Sequence, residues 1–374
     1  MHSMAYYLKH HFDPDFDYTR LAPQKMDDGS VDHYELNYVQ NVTTGQLLAE
    51  FEVLDDELRK NINSRFVFEE KKFPAGRGTG FRESEPNRLY AARDGFVLYE
   101  EGLICVRKTL NVRHDVDFST GNIDFVSDLN VFGTVGTGFS LSARTIDVGG
   151  HIQGAHVKAR ENLSCRSGVK GEGQALLEAG GDIRLAFCEY ATLTAKGNVL
   201  IKNSLLHSRV FAGKRLAVGD RLIGCDVCAH NYVYVGEQLG GGMGADLTIT
   251  LGYDPQLLFK SALIDQRISE LWEQLHYAEA QVAKGGFPAK EYEPRLITTR
   301  KDLQETRERK AKLWQTISRT ERLGECKILV PGVVKPGVEI SIGNAYLKVD
   351  DYYEDVVFFY EDREVRVAPS QTMK

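Results

Sequence analysis

LTAKGNVLI at residues 193–201, VFAGKRLAV at 210–218 and VCAHNYVYV at 227–235 are copies of one pattern, set 17 residues apart. Each runs apolar, any residue, Ala, a polar or glycine turn, then two β-type residues flanking one outward position. LSARTIDV (141–148), VKARENLSC (157–165) and LEAGGDIRL (177–185) precede them in the same form. The alanines Ala143, Ala159, Ala179, Ala195, Ala212 and Ala229 therefore recur at intervals of 16, 20, 16, 17 and 17 residues. A helical repeat needs about 30 residues or more and a 3.6-residue period, whereas here apolar residues alternate with period 2 and glycine marks the corners. A leucine-rich repeat would need an Asn ladder and a helical half, which these copies lack. The pattern predicts a right-handed parallel β-helix with rungs of about 17 residues.

One such rung has no way to bury its own apolar face; stacked rungs pair their backbones and share one inner column. Ile183, Val199, Leu216 and Val233 are the expected like-on-like stack, and Cys165 falls in line with Leu185, Ile201, Val218 and Val235. The small Ala is expected at a tight inward corner. Gly149, Gly150, Gly180, Gly181, Gly197 and Gly213 are expected in corner conformations with positive φ.

Working outward, residues 1–115 read as an α+β module capping the array, with a strand-like stretch around Tyr34 to Tyr38 and a short helix over Asp55 to Asn61. Its end, RLYAARDGFVLYEEGLICVRKTLNV, reads as a hairpin leading into the first rung. The β-helix proper is assigned to 116–253. Asp254 and Pro255 then have the chemistry of a helix N-cap and first turn. Ile264, Ile268, Leu271, Leu275, Ala278 and Val282 follow the 4-3-4-3-4 spacing of a coiled-coil seam. KGGFP (284–288) breaks that helix, and a second, highly charged helix is expected from about Pro294 to Arg322. Residues 254–324 thus form an inserted antiparallel helical hairpin, and 325–374 complete the β-helix: KILVPGVVKPGVEISIGNAYLKV reads as a further rung and VVFFYEDREVRVAP as a last strand pair.

The 374 residues carry a formal net charge of −7, which gives no bulk electrostatic reason to bind nucleic acid. No stretch approaches the roughly 18 apolar residues of a membrane span, and the N-terminus lacks a secretory pattern, so a cytoplasmic location is expected. The 6 cysteines are scattered and expected to be free thiols.

The segments AARDGFVLYEEGLICV, VDFSTGNIDFVSDLNVFGTV, LLHSRVFAGKRLAVG and PGVVKPGVEISIG, together with the AGGD and AKGNV rungs, resemble a bacterial family, the flagellar assembly protein A-like proteins. That family is catalogued as a domain of unknown function with a parallel β-helix and a coiled-coil insert. The resemblance runs from about Leu89 to the C-terminus; the first 80 or so residues match poorly, with FPAGRGTGF in place of the family's usual glycine-rich stretch. It implies a cytoplasmic bacterial protein linked to flagellar assembly or its spatial control, and it supplies no catalytic residue. The rungs are also similar to those of the bactofilins, which implies self-association.

Residue chemistry adds no site. Cys225 and Cys228 form a CxxC without a second pair at zinc spacing or a thioredoxin-like context. His207 reads as a rung histidine, and GGGMG (240–244) lacks the Lys-Ser or Lys-Thr of a phosphate loop. ARDGFVLYEEG has no Lys at its turn to carry biotin or lipoate, and KDLQETRERKAK (301–312) reads as a solvated helix face. Lys158, Glu178, Thr194, Phe211 and Cys228 should stack outward without the acidic ladder a polysaccharide-cleaving site requires. No catalytic residue, cofactor or metal is assigned. The expectation is a non-enzymatic scaffold with protein partners, through the hairpin or by self-association through hairpin or β-helix; the alternative is a carbohydrate-active enzyme with a site on the β-helix flank.

Overall fold

The computed structural model describes residues 5–21, 24–25, 31–54, 63–241, 246–318 and 322–373. The protein is mainly β, a parallel β-solenoid of about eight turns with 17-residue rungs, preceded by sheets and carrying a two-helix hairpin. The chain divides into two compact units, Met1–Gly180 and Gly181–Lys374.

In the first unit, a five-stranded antiparallel sheet has the order Val67–Phe68, Tyr6–His10, Leu47–Val53, Arg88–Ala91, Thr79–Gly80. Leu8, Leu48, Leu89, Val97 and Ile104 fill its core with Phe51 and Phe66. The expected hairpin is present as Gly95–Glu100 and Leu103–Arg107. Glu101 and Gly102 turn it with φ of 51° and 79°, the left-handed pair that a two-residue hairpin loop demands. The Tyr34–Tyr38 stretch is irregular rather than a strand, and its Tyr34 carbonyl accepts from the Asn122 amide. The helix expected over Asp55 to Asn61 lies outside the described residues.

Parallel pairing in this unit begins at Thr109–Val112, which pairs with Asp128–Val131. Val112, Val131, Val148 and Cys165 then stack in register, as do Leu141, Val157 and Leu177, all buried. The irregular 20-residue step between Ala159 and Ala179 comes from an excursion at Glu172 and Gly173. Both adopt positive φ and stand exposed, so three extra residues loop out without disturbing the column.

In the second unit, Ile183, Val199, Leu216, Val233 and Ile328 form one fully buried stack, and Leu185, Ile201, Val218 and Val235 another. Burying each such side chain is worth about 1.5–3 kcal/mol. Ala195, Ala212 and Ala229 stack in register and are buried, as their size requires.

The corner glycines are explained differently from expectation. Gly149, Gly150, Gly180, Gly181, Gly197 and Gly213 are not among the positive-φ residues. What excludes a side chain is the backbone one rung below: a Cβ would lie 2.0 Å from the Arg160 carbonyl oxygen at Gly180 and 2.4 Å from that of Lys196 at Gly213. Stacking at β-ladder distance brings corner against corner, and only glycine leaves room.

After the hairpin the chain resumes the array. Lys327–Val334 pairs parallel with Tyr232–Val235, and Val338–Ile342 with Leu247–Leu251. Direction then reverses: Tyr353–Glu361 runs antiparallel against Lys327–Val334, and Glu364–Pro369 against Tyr353–Glu361. This hairpin covers backbone groups that an open last rung would expose to other chains.

Candidate functional site

The helical hairpin is the element that leaves the solenoid path. Helix α1 (Pro255–Ala283) begins as its sequence requires, with the Asp254 carboxylate accepting from the Gln256 amide at 2.8 Å and proline in the first turn. Its first turns lie on the rungs. Gln256 Nε2 donates to the Ala195 carbonyl (2.9 Å) and Thr194 Oγ1 (3.3 Å), and the Phe259 ring sits 5.2 Å from that of Phe211. Thr194, Phe211 and Cys228 do stack as an outward row, but α1 covers it, leaving Phe211 only 2% and Cys228 7% exposed. The Thr194, Phe211 and Cys228 part of the row read from sequence is therefore a docking face, with the unusual outward Phe as its signal, while Lys158 stays exposed and pairs with Glu178 at 3.8 Å.

Helix α2 (Gly286–Ile317) starts eight residues before the expected Pro294, which lies inside it. The turn is confined to Lys284 and Gly285, with Gly285 and Gly286 at φ of 71° and 69°. Each arm is roughly 45 Å long at 1.5 Å per residue. Leu271, Leu275 and Leu303 bury the seam, flanked by Ile268, Trp272 and Leu296. Glu279 pairs with Arg300 at 2.9 Å, Asp265 pairs with Lys310, and the Arg307 guanidinium lies 5.0 Å from the Trp272 ring centre. The basic run 301–312 is thus solvated, yet Arg307 and Lys310 within it tie α2 to α1. Outside the seam, Tyr277 (59%), Ile297 (68%) and Trp314 (52%) stand exposed. A groove of about 480 Å³ near the tip is lined by Tyr277, Tyr292, Pro294 and Arg295.

The other motifs take structural places. Cys225 sits at the corner just before the strand Asp226–Ala229, and Cys228 lies within that strand. Cys225 Sγ donates to the Ile223 carbonyl at 3.2 Å, Cys228 lies under α1, and burial pushes both thiols up to about 12, far from the reactive thiolate range. All 6 cysteines are free and buried. His207 stands exposed at a left-handed corner (φ 45°), its ring stacked 5.0 Å from that of Tyr190. Gly240 and Gly241 turn with positive φ, and the rest of GGGMG lies outside the described residues. Among the described residues no group of three or more His, Cys, Asp or Glu side chains could hold a metal ion, and no helix is long and apolar enough to cross a membrane.

Sequence reasoning did not find a cleft in the first unit, of about 600 Å³, between the loop Asp13–Tyr18, the hairpin strand Gly95–Glu100 and the first parallel strand Thr109–Val112. Phe16, Tyr38 and Phe96 supply aromatic walls, and Arg107 and Arg113 supply cations. Arg107 is held by Glu100, while Arg113 makes no ion pair among the described residues. The signal was faint: the lining comes from four separate segments, none of which is a motif.

No curated protein and no solved structure gives a significant match to this chain. A family model described as the Flagellar Assembly Protein A beta solenoid domain matches residues 108–365, the span that holds the parallel rungs, the inserted hairpin and most of the closing strands, and the chain belongs to that family.

Proposed function

We propose that this protein is a cytoplasmic, non-enzymatic scaffold or adaptor in flagellar assembly or its spatial regulation, and that the helical hairpin engages its partner. The family supports the link to flagellar assembly. The observation that carries the docking role is the hairpin itself: two helices of about 45 Å, anchored by the first turns of α1, with Tyr277, Ile297 and Trp314 left uncovered on charged surfaces. A partner helix would lay its apolar stripe along such a face. Against the carbohydrate-active alternative stands the chemistry of the outward row: its one carboxylate, Glu178, pairs with Lys158 at 3.8 Å, and Thr194, Phe211 and Cys228 lie beneath α1.

The test is an in-frame deletion in the native host, scored by electron microscopy for flagellar number and position, and complemented with the full chain or with one in which a short turn replaces residues 254–325. Lost or misplaced flagella that only the full chain restores would support the proposal. Normal flagella in the deletion strain would remove the flagellar role. Full rescue by the hairpin-less chain would remove the hairpin as the docking element.

A further inference from the structure

The edge of the first parallel strand is closed in one place and open in another. In a parallel ladder alternate residues turn their N–H and C=O groups to opposite neighbours. The Lys108 and Val112 carbonyls accept from Asp128 N (3.3 Å) and Phe132 N (2.8 Å), so residues 108, 110 and 112 face the second rung. Thr109 and Asn111 consequently present their backbone groups the other way. Among the described residues those groups have no backbone partner, and Asp128–Val131 is the only strand paired with Thr109–Val112.

Further along the same rung the N-terminal module does close the edge. Asn41 Nδ2 donates to the Asp124 carbonyl (2.7 Å), its Oδ1 accepts from Val126 N (3.1 Å), and the Tyr34 carbonyl accepts from Asn122 N (2.6 Å). A side-chain amide and a loop carbonyl there take the place of a missing rung. At Thr109–Val112 the place is taken by the cleft, a space of about 600 Å³ lined by Phe16, Tyr38, Phe96, Asn111 and Arg113.

We propose that the open edge of Thr109–Val112 binds an extended peptide of a partner protein by strand addition, the peptide's backbone pairing with Thr109 and Asn111 and an acidic side chain meeting Arg113. Four residues of strand span about 13 Å and match the length of the edge. Main-chain pairing supplies affinity in such sites, and pockets for alternate side chains supply selectivity. The aromatic walls suit an apolar side chain on the face opposite the carboxylate. The charge argument selects an acidic over a basic peptide, because Arg107 is already neutralised by Glu100 whereas Arg113 is not. The inference extends the docking role proposed above but does not depend on the hairpin: a chain lacking residues 254–325 keeps this edge, so peptide binding and flagellar rescue fail separately.

The probe is a fluorescein-labelled heptapeptide of alternating valine and glutamate, capped at both ends and titrated against the full chain by fluorescence anisotropy. Saturable binding is expected, weakened about tenfold or more by Thr109→Pro, which removes an edge N–H that nothing among the described residues uses at a strand start where proline is tolerated. Two peptides N-methylated on opposite sets of alternate amides test the same point without altering the protein. One set should abolish binding and the other leave it within about twofold. Arg113→Glu should reverse the preference to a valine–lysine peptide. Absence of saturable binding by either peptide up to millimolar concentration would overturn the proposal, as would equal sensitivity to both methylation sets. Self-association of the chain that Thr109→Pro abolishes would overturn it too, since the occupant would then be a second copy.

Discussion

Replacing Gly236 with alanine puts a methyl carbon 1.9 Å from the carbonyl oxygen of Gly219 in the rung below, where ordinary contact begins at 3.4 Å. The two corners would have to part by about 1.5 Å, roughly a third of the normal strand spacing. The bonds Gly236 N to Val218 O and Glu237 N to Asp220 O, both 2.9 Å, do not survive that separation. Two lost hydrogen bonds at about 1 kcal/mol each, added to about 2 kcal/mol of overpacking, make a cost of about 4 kcal/mol. Gly337 is the control in the same unit: its φ is 93°, but nothing lies within 4 Å of an added Cβ, so Gly337→Ala should cost about 1–2 kcal/mol from backbone conformation alone. Hydrogen exchange is the suitable assay because repeat arrays need not unfold as one unit. Gly236→Ala should lower protection of the amides around Val218 and Gly236 by about three powers of ten, and Gly337→Ala by about one around its own turn. Equal losses in the two variants would refute close backbone approach as the reason for the corner glycines.

Leu216→Ala removes the centre of the Val199–Leu216–Val233 stack, where all three side chains are fully buried, and should destabilise the second unit by about 2–5 kcal/mol in urea titration. Cys228 should react with a thiol reagent far more slowly than an unfolded cysteine, and Phe259→Ala, which uncovers the Phe211 row, should accelerate that reaction while the β signal in circular dichroism is unchanged. His10, packed against Phe12, Phe66 and Tyr99, is pushed down to about 4 by burial and then by the Arg65 charge. Its neutral form is favoured in the folded state, so the stability it contributes is complete above about pH 6.5 and is lost as pH falls towards 4. For a half-buried ring that loss is about 1–2 kcal/mol, and His10→Phe should flatten the pH dependence of the melting temperature over this interval.

How far the sequence could be read followed from how local each constraint is. Val199, Leu216 and Val233 announce their stack because period-2 alternation and a 17-residue recurrence are properties of the string itself, and the same holds for Asp254 and Pro255 at the start of α1. Residues whose role depends on a distant neighbour were harder to read. The corner glycines looked like turn formers because a glycine's conformational freedom is visible in isolation, whereas the carbonyl one rung below is not. Pro294 looked like a first-turn proline because it usually is one; α2 continues through it on an exposed surface, and KGGFP contributes only a two-residue turn. The cover on Phe211 and the open edge at Thr109 both depend on elements from elsewhere in the chain, so neither leaves a pattern at its own position.

The hairpin's place between Tyr232–Val235 and Lys327–Val334 also bears on how the second unit assembles. Val233 and Ile328 are register partners separated by about 95 residues of chain, a gap that would ordinarily slow their meeting. Helices form within about a microsecond, faster than long-range strand pairing. Once α1 and α2 zip together, the ends of the insert lie side by side and the loop still to be closed shrinks to about 30 residues. By chain-closure entropy that shortening favours the return of Lys327–Val334 by about 1 kcal/mol. On this account the same helices that are offered to a partner act earlier as an internal clamp, and Leu271→Asp, which breaks their seam, should slow refolding of the last rungs more than it weakens them.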